Sequence, residues 1–150
     1  MIIWINGPFG AGKTTLAEKL RERRPEFLIF DPEEIGFLVK LTVPKPASGD
    51  YQDLALWRGL TIAALREVRR HYSQDIIVPM TLVQAEYLDE ILDGVRRVDD
   101  QLVHIFLTLN EDLLRHRIAL SLQSIKACHP RLRVTCFSMN WQVSAKKSKC

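Results

Sequence analysis

Eight consecutive residues, Gly7-Pro8-Phe9-Gly10-Ala11-Gly12-Lys13-Thr14, place glycine at the first and sixth positions and follow the second of these with lysine and a hydroxyl residue. That spacing suits phosphate. Glycines let backbone N–H groups turn inward with no Cβ in the way. A helix starting at the lysine aims its unsatisfied N–H groups, and the positive end of its dipole, at the same anion. Lys13 then reaches the outer phosphates of a nucleotide, and the Thr14 hydroxyl is suited to ligating a magnesium ion. Gly7, Gly10, Ala11, Gly12, Lys13, Thr14 and Thr15 are therefore the candidate nucleotide-binding residues. Such a loop identifies a nucleotide and leaves the second substrate open, because many chemistries share it.

In an open parallel sheet, ligands gather at the C-terminal ends of the strands. Asp31 directly follows an apolar run and points to that end, where it reads equally as a helix N-cap and as a site carboxylate. Asp75 precedes a run and belongs at the opposite end. After Ile77-Val78, where many phosphate-loop proteins carry a magnesium-binding acid, the chain has Pro79-Met80-Thr81, so the metal shell leans on Thr14 and water, with Asp31 as a further candidate. Arg58 stands in a long helix beside Trp57. It is suited to a bidentate clamp on phosphate or carboxylate, although its spacing favours a stem running along the helix edge to water. Arg115 and Arg117 lie on a later helix at a place where phosphoryl-transfer enzymes often set arginines. The four histidines show no metal-ligand spacing.

The elements that must position these residues follow from periodicity. Met1–Asn6, Phe27–Phe30 and Ile76–Val78 read as buried strands, with Leu102–Leu109 as a fourth strand. Between them, helices are expected over Lys13–Arg24, Pro32–Leu38, Tyr51–Tyr72 and Gln84–Arg97, with another opening at Glu111. Apolar strands alternating with helices indicate an α/β fold with a parallel sheet covered on both faces.

Composition agrees with a globular chain of 150 residues, 47% hydrophobic and 26% charged. The formal charge of +3 is uneven. Residues 1–120 carry 15 Lys and Arg against 18 Asp and Glu, whereas residues 121–150 carry six basic residues and no acid. All three cysteines, Cys128, Cys136 and Cys150, fall in that second part without metal-ligand spacing. The expectation is one domain over 1–120 and a basic tail over 121–150, divergent or truncated, with no clear helical period and a weak strand pattern at Arg131–Met139. The tail's charge lacks aromatic residues set among the basic ones, so no nucleic-acid partner is expected. No apolar stretch approaches a membrane span, and no targeting pattern opens the chain, so the expected location is cytoplasmic.

Four separated motifs resemble one family, the tunicamycin-resistance ATP-binding proteins, a small P-loop kinase-like group. They are Met1 to Thr15, Asp31-Pro32-Glu33 with Gly36-Phe37, Leu56-Trp57-Arg58, and Ile77-Val78-Pro79-Met80-Thr81. The resemblance covers roughly residues 1–118. It implies a three-layer P-loop NTPase fold with strand order 2-3-1-4-5, binding of ATP and Mg²⁺, and resistance to a nucleoside antibiotic that mimics a UDP-amino sugar. It further implies that Asp31 contacts a substrate hydroxyl, that Arg58 clamps substrate or phosphate, and that Arg117 lies against the adenine. The second lid arginine that the family pattern places four residues after Arg117 is Ser121 here, which puts the fifth strand in doubt.

Two functions follow as expectations. One is an ATP-dependent phosphotransferase acting on a small molecule, with Lys13 and the loop amides stabilising phosphoryl charge and Asp31 orienting or deprotonating the acceptor hydroxyl. The other is a protein that binds a nucleotide-like drug and sequesters it without turnover.

Overall fold

The computed structural model describes the backbone of residues 1–128 and the side chains of residues 1–120. Its central strand is β1 (Ile2–Asn6), whose five residues are all buried, as a continuous apolar run requires. The phosphate loop leads from it into α1 (Lys13–Arg23), and Pro25 follows. The short β2 (Leu28–Ile29) comes next, then α2 (Pro32–Thr42). α2 runs four residues past the expected end at Leu38. It stops where Val43, extended ahead of Pro44, can no longer be helical.

A single 3₁₀ turn over Tyr51–Asp53 precedes α3 (Ala55–His71). The expected start of that helix at Tyr51 is thus corrected. Asp50 caps the turn through the Gln52 N–H at 2.9 Å, and Leu54 is extended (φ −81°, ψ 117°) between turn and helix. β3 (Ile76–Pro79), α4 (Ala85–Arg96), β4 (Leu102–Phe106) and α5 (Glu111–Cys128) complete the described chain. α5 continues to Cys128, into the segment whose sequence has no clear helical period.

The four strands are parallel and ordered β2-β3-β1-β4. Ile2 lies beside Ile76 on one flank and Leu102 on the other. This matches the first four positions of the expected order; the candidate fifth strand at 131–139 lies outside the described residues. Alternate residues of the strands feed two cores. Ile2, Trp4, Ile76 and Val78 pack with Val39, Trp57, Leu65, Ile91 and Val95 of α2, α3 and α4. Ile3, Ile5 and Ile77 pack on the other face with Ala17, Leu16 and Leu20 of α1. Helices on both faces of a parallel sheet give three layers. Among the described residues β4 is a sheet edge, with Val103 and Phe106 exposed.

Candidate functional site

The C-terminal ends of β1, β2 and β3 open into a cleft of about 530 Å³ lined by Gly10, Gly12, Lys13, Thr14, Asp31 and Glu33, with Phe9, Thr15, Pro79, Thr81, Arg117 and Leu120 around them. Local chemistry shapes the loop. Gly10 and Gly12 take φ of 82° and 94°, the left-handed region where a Cβ is strained. A Cβ on Gly7 would stand 2.7 Å from the Leu107 carbonyl oxygen, so the loop can only pass β4's exit as glycine. α1 begins with no side-chain cap and no acid in its first turn, which leaves its first N–H groups unpaired and facing an uncompensated dipole. That arrangement suits an anion.

Lys13 folds back on its own loop, donating to the carbonyl oxygens of Gly7 (3.0 Å) and Pro8 (2.9 Å). Burial lowers its pKa from the usual lysine value, and the charge of Glu33 partly opposes this. The Thr14 hydroxyl has no hydrogen-bond partner among the described residues. Arg117, on α5, brings Nη1 to 3.8 Å from where a Gly12 Cβ would stand, so this helix lies over the loop.

Asp31 faces the same cleft and is also the N-cap of α2, with Oδ1 accepting from the Glu33 N–H at 2.9 Å. Both readings of Asp31 thus have a structural counterpart. Arg58 does not join the cleft. Nearly buried on α3, it donates from Nε to Glu90 (2.6 Å) and from Nη1 to the Gln52 carbonyl (2.7 Å), and its guanidinium stacks 4.2 Å from the Tyr87 ring centre. It neither runs along the helix edge to water nor faces the phosphate loop. Its influence on the site runs through Gln52, whose Nε2 donates to the Thr81 carbonyl oxygen at 2.9 Å. Gly7 and Ala11 shape the loop without lining the cleft, the Ala11 N–H closing a turn onto the Pro8 carbonyl at 3.1 Å.

Sequence reasoning gave no role to Asn6, Glu33 or Thr81. Asn6 is buried at the end of β1, and its Oδ1 accepts from both the Gly7 N–H (2.8 Å) and the Leu82 N–H (2.9 Å). Its Nδ2 donates to the Leu82 carbonyl (3.1 Å), which ties the start of the phosphate loop to the segment after β3. Glu33 had a usable signal, since it stands two residues after Asp31 in the first turn of the same helix. The residue is exposed overall, but partial desolvation of its carboxylate in the cleft raises its pKa above the ordinary carboxylate value. The Asp31 charge adds to the rise, while Lys13 and Lys40 oppose it. Burial also pushes up the nearby Tyr51 phenol, with further contributions from Glu33 and Asp50.

A second cleft, of about 500 Å³, lies among Arg69, Arg96, Asp99 and Gln101. Its central acid is already engaged: Asp99 Oδ2 is 2.9 Å from Arg69 Nε and 3.4 Å from the Met1 amino group. It has no glycine loop and stands at the end of the sheet where parallel strands begin. Among the described residues no helix is long and apolar enough to cross a membrane.

The family model described as "AAA domain" matches residues 2–120. No curated protein sequence matches the chain. Among solved structures, the tunicamycin resistance protein of Deinococcus radiodurans is 32% identical. The match covers 78% of this chain and 67% of that one, with a TM-score of 0.70. A gluconokinase from Sinorhizobium meliloti 1021 is 19% identical over 88% of this chain and 77% of that one, at a TM-score of 0.51. A sugar kinase from Janibacter sp. HTCC2649 is 15% identical over 79% and 65%, at 0.50, and these two likenesses concern the fold alone. On its glycine loop, its parallel sheet and these likenesses, the chain belongs to the AAA domain family and has the P-loop kinase-like fold.

Proposed function

We propose that the protein is an ATP-dependent phosphotransferase whose acceptor is a hydroxyl group of a nucleoside antibiotic of the tunicamycin type. The observation that carries this reading is the sharing of one cleft by Lys13, the uncapped start of α1 and the Asp31 carboxylate. On this reading the phosphate loop and the acids Asp31 and Glu33 share a space of small-molecule size. The likeness to a tunicamycin resistance protein supports the choice of acceptor.

On this reading Lys13 exchanges its bonds to the Gly7 and Pro8 carbonyls for a terminal phosphate oxygen, where its charge opposes the negative charge that transfer spreads over the phosphoryl oxygens. The loop amides and the first turn of α1 hold the remaining phosphates. The Thr14 hydroxyl would hold Mg²⁺, which would neutralise phosphate charge when bound. Asp31 orients the acceptor hydroxyl, its own position fixed by the cap bond to Glu33. Arg117 stands over the loop on the nucleotide side.

Incubation of the protein with tunicamycin and MgATP, followed by mass spectrometry of the drug, tests the reading. A gain of one phosphoryl group supports it. Drug recovered unchanged although calorimetry shows that it binds would establish sequestration instead. Asp31→Asn keeps the cap and removes the charge, so turnover undiminished in that variant would reduce Asp31 to a helix cap.

A further inference from the structure

Beside Asp31 the cleft holds a second carboxylate that the scheme above leaves without a task. Glu33 stands in the first turn of α2, immediately after Pro32. Among the described residues its side chain makes no hydrogen bond and no ion pair within 4.0 Å. It is not isolated electrostatically. Its charge raises the pKa of Lys13 and adds to the raised pKa of Tyr51. Glu33 lines the same cleft as Lys13, the lysine of the phosphate loop, and Asp31.

Asp31 is differently placed. One of its oxygens is committed to the Glu33 N–H, a bond that holds the start of α2. A carboxylate so held is suited to orienting a partner; a carboxylate without hydrogen bonds is suited to exchanging a proton with one. The surroundings of Glu33 favour the second task. Partial desolvation, then Asp31, raise its proton affinity, with Glu34 adding and Lys13 and Lys40 opposing. A carboxylate raised toward neutrality is a better general base than an ordinary one.

We propose that Glu33 takes the proton of the acceptor hydroxyl during phosphoryl transfer, while Asp31 orients that hydroxyl. The inference rests on the phosphotransferase reading. The hydroxyl oxygen forms its bond to the γ-phosphorus of ATP as the bond from that phosphorus to the β–γ bridging oxygen breaks. The bridging oxygen leaves with the electron pair as part of ADP. The hydroxyl proton passes to a carboxylate oxygen of Glu33 and from there to solvent.

Glu33→Gln removes the base while keeping size and helix start, and Glu34→Gln removes a charge from the same turn but outside the cleft. With tunicamycin and MgATP as probes, Glu33→Gln should slow phosphorylation by about 100-fold or more. Glu34→Gln should stay within about twofold of the parent, the scale of a remote surface charge. Turnover of Glu33→Gln within about threefold of the parent would overturn the assignment, because that is less than any general base contributes. Should the parent leave the drug unphosphorylated, the acceptor reading fails and binding decides the placement of Glu33. A carboxylate beside the outer phosphate repels it, so Glu33→Gln should then tighten the imido analogue of ATP relative to ADP by about three- to tenfold in calorimetry. An unchanged ratio would overturn the placement.

Discussion

The side-chain amide of Asn6 exchanges two hydrogen bonds with the backbone of Leu82, 76 residues away, accepting at 2.9 Å and donating at 3.1 Å. The same oxygen also accepts from the Gly7 N–H. One buried side chain thus sets the entry to the phosphate loop and the path of the segment carrying Thr81. Asn6→Ala leaves buried backbone groups without partners and should cost at least about 2 kcal/mol in urea unfolding. A loss below about 0.5 kcal/mol would mean that water satisfies those groups equally well.

Gly36 supports the cleft from behind. A Cβ there would stand 2.7 Å from two carbons of the Tyr51 ring, which itself packs edge-on against Trp57 at 5.2 Å. A ring held on two sides cannot yield as a flexible chain end can. Gly36→Ala should therefore destabilise the protein by about 1–3 kcal/mol, read as a lower urea midpoint, although alanine is the better helix former.

Arg58 joins α3, α4 and the Tyr51–Asp53 turn through Glu90, Gln52 and Tyr87. Arg58→Ala should cost about 1–3 kcal/mol, moderated because Glu90 is half exposed and regains water. Arg58→Lys should recover only part of this, since an ammonium cannot serve the carboxylate and the carbonyl in the same fork. Equal urea midpoints for the lysine variant and the parent would show that the charge alone suffices.

Lys13→Ala removes two bonds to loop carbonyls that border an open cleft, so water can replace them and stability should change by less than about 1 kcal/mol. Nucleotide binding should be lost, measured by calorimetry with MgATP. A variant that binds like the parent would remove the phosphate-binding role from this loop.

Glu33 makes the fold's stability depend on pH in a stated direction. Its native pKa is raised, mainly by partial desolvation, so the native state favours its protonated form. The penalty on the native state is absent below the ordinary carboxylate range. It appears as pH climbs from that range through the raised native value. Glu33→Gln should thus melt above the parent at neutral pH, with the gain shrinking to nothing near pH 4. A gain that persists unchanged into acid would trace to something other than ionisation.

Much of this architecture is local and was open to reading. The phosphate loop is a run of neighbours whose backbone freedom and charge are written in Gly7 to Thr14. The order of strands and helices follows from periodicity, because each element must bury an apolar face. The Asp31 cap follows from its place ahead of Pro32. Thr14, Thr15 and Arg117 also line the cleft.

Where long-range contacts compete, sequence was silent or pointed elsewhere. A helical period shows that Arg58 stands beside an apolar stripe. It does not show that Glu90, 32 residues on, and the Gln52 carbonyl accept from its Nε and Nη1. Periodicity carried α3 back to Tyr51, but Asp50 and the packing of Tyr51 against Gly36 and Trp57 hold a separate turn there. The role of Asn6 depends on two chain ends brought together by the pairing of β1 with β3. The spacing of Asp31 and Glu33 is visible in the sequence, yet which carboxylate is hydrogen-bonded, and that both share a cleft with Lys13, was decided only in three dimensions. A residue type fixes what a side chain can donate, accept or ionise; folding determines which partners reach it first.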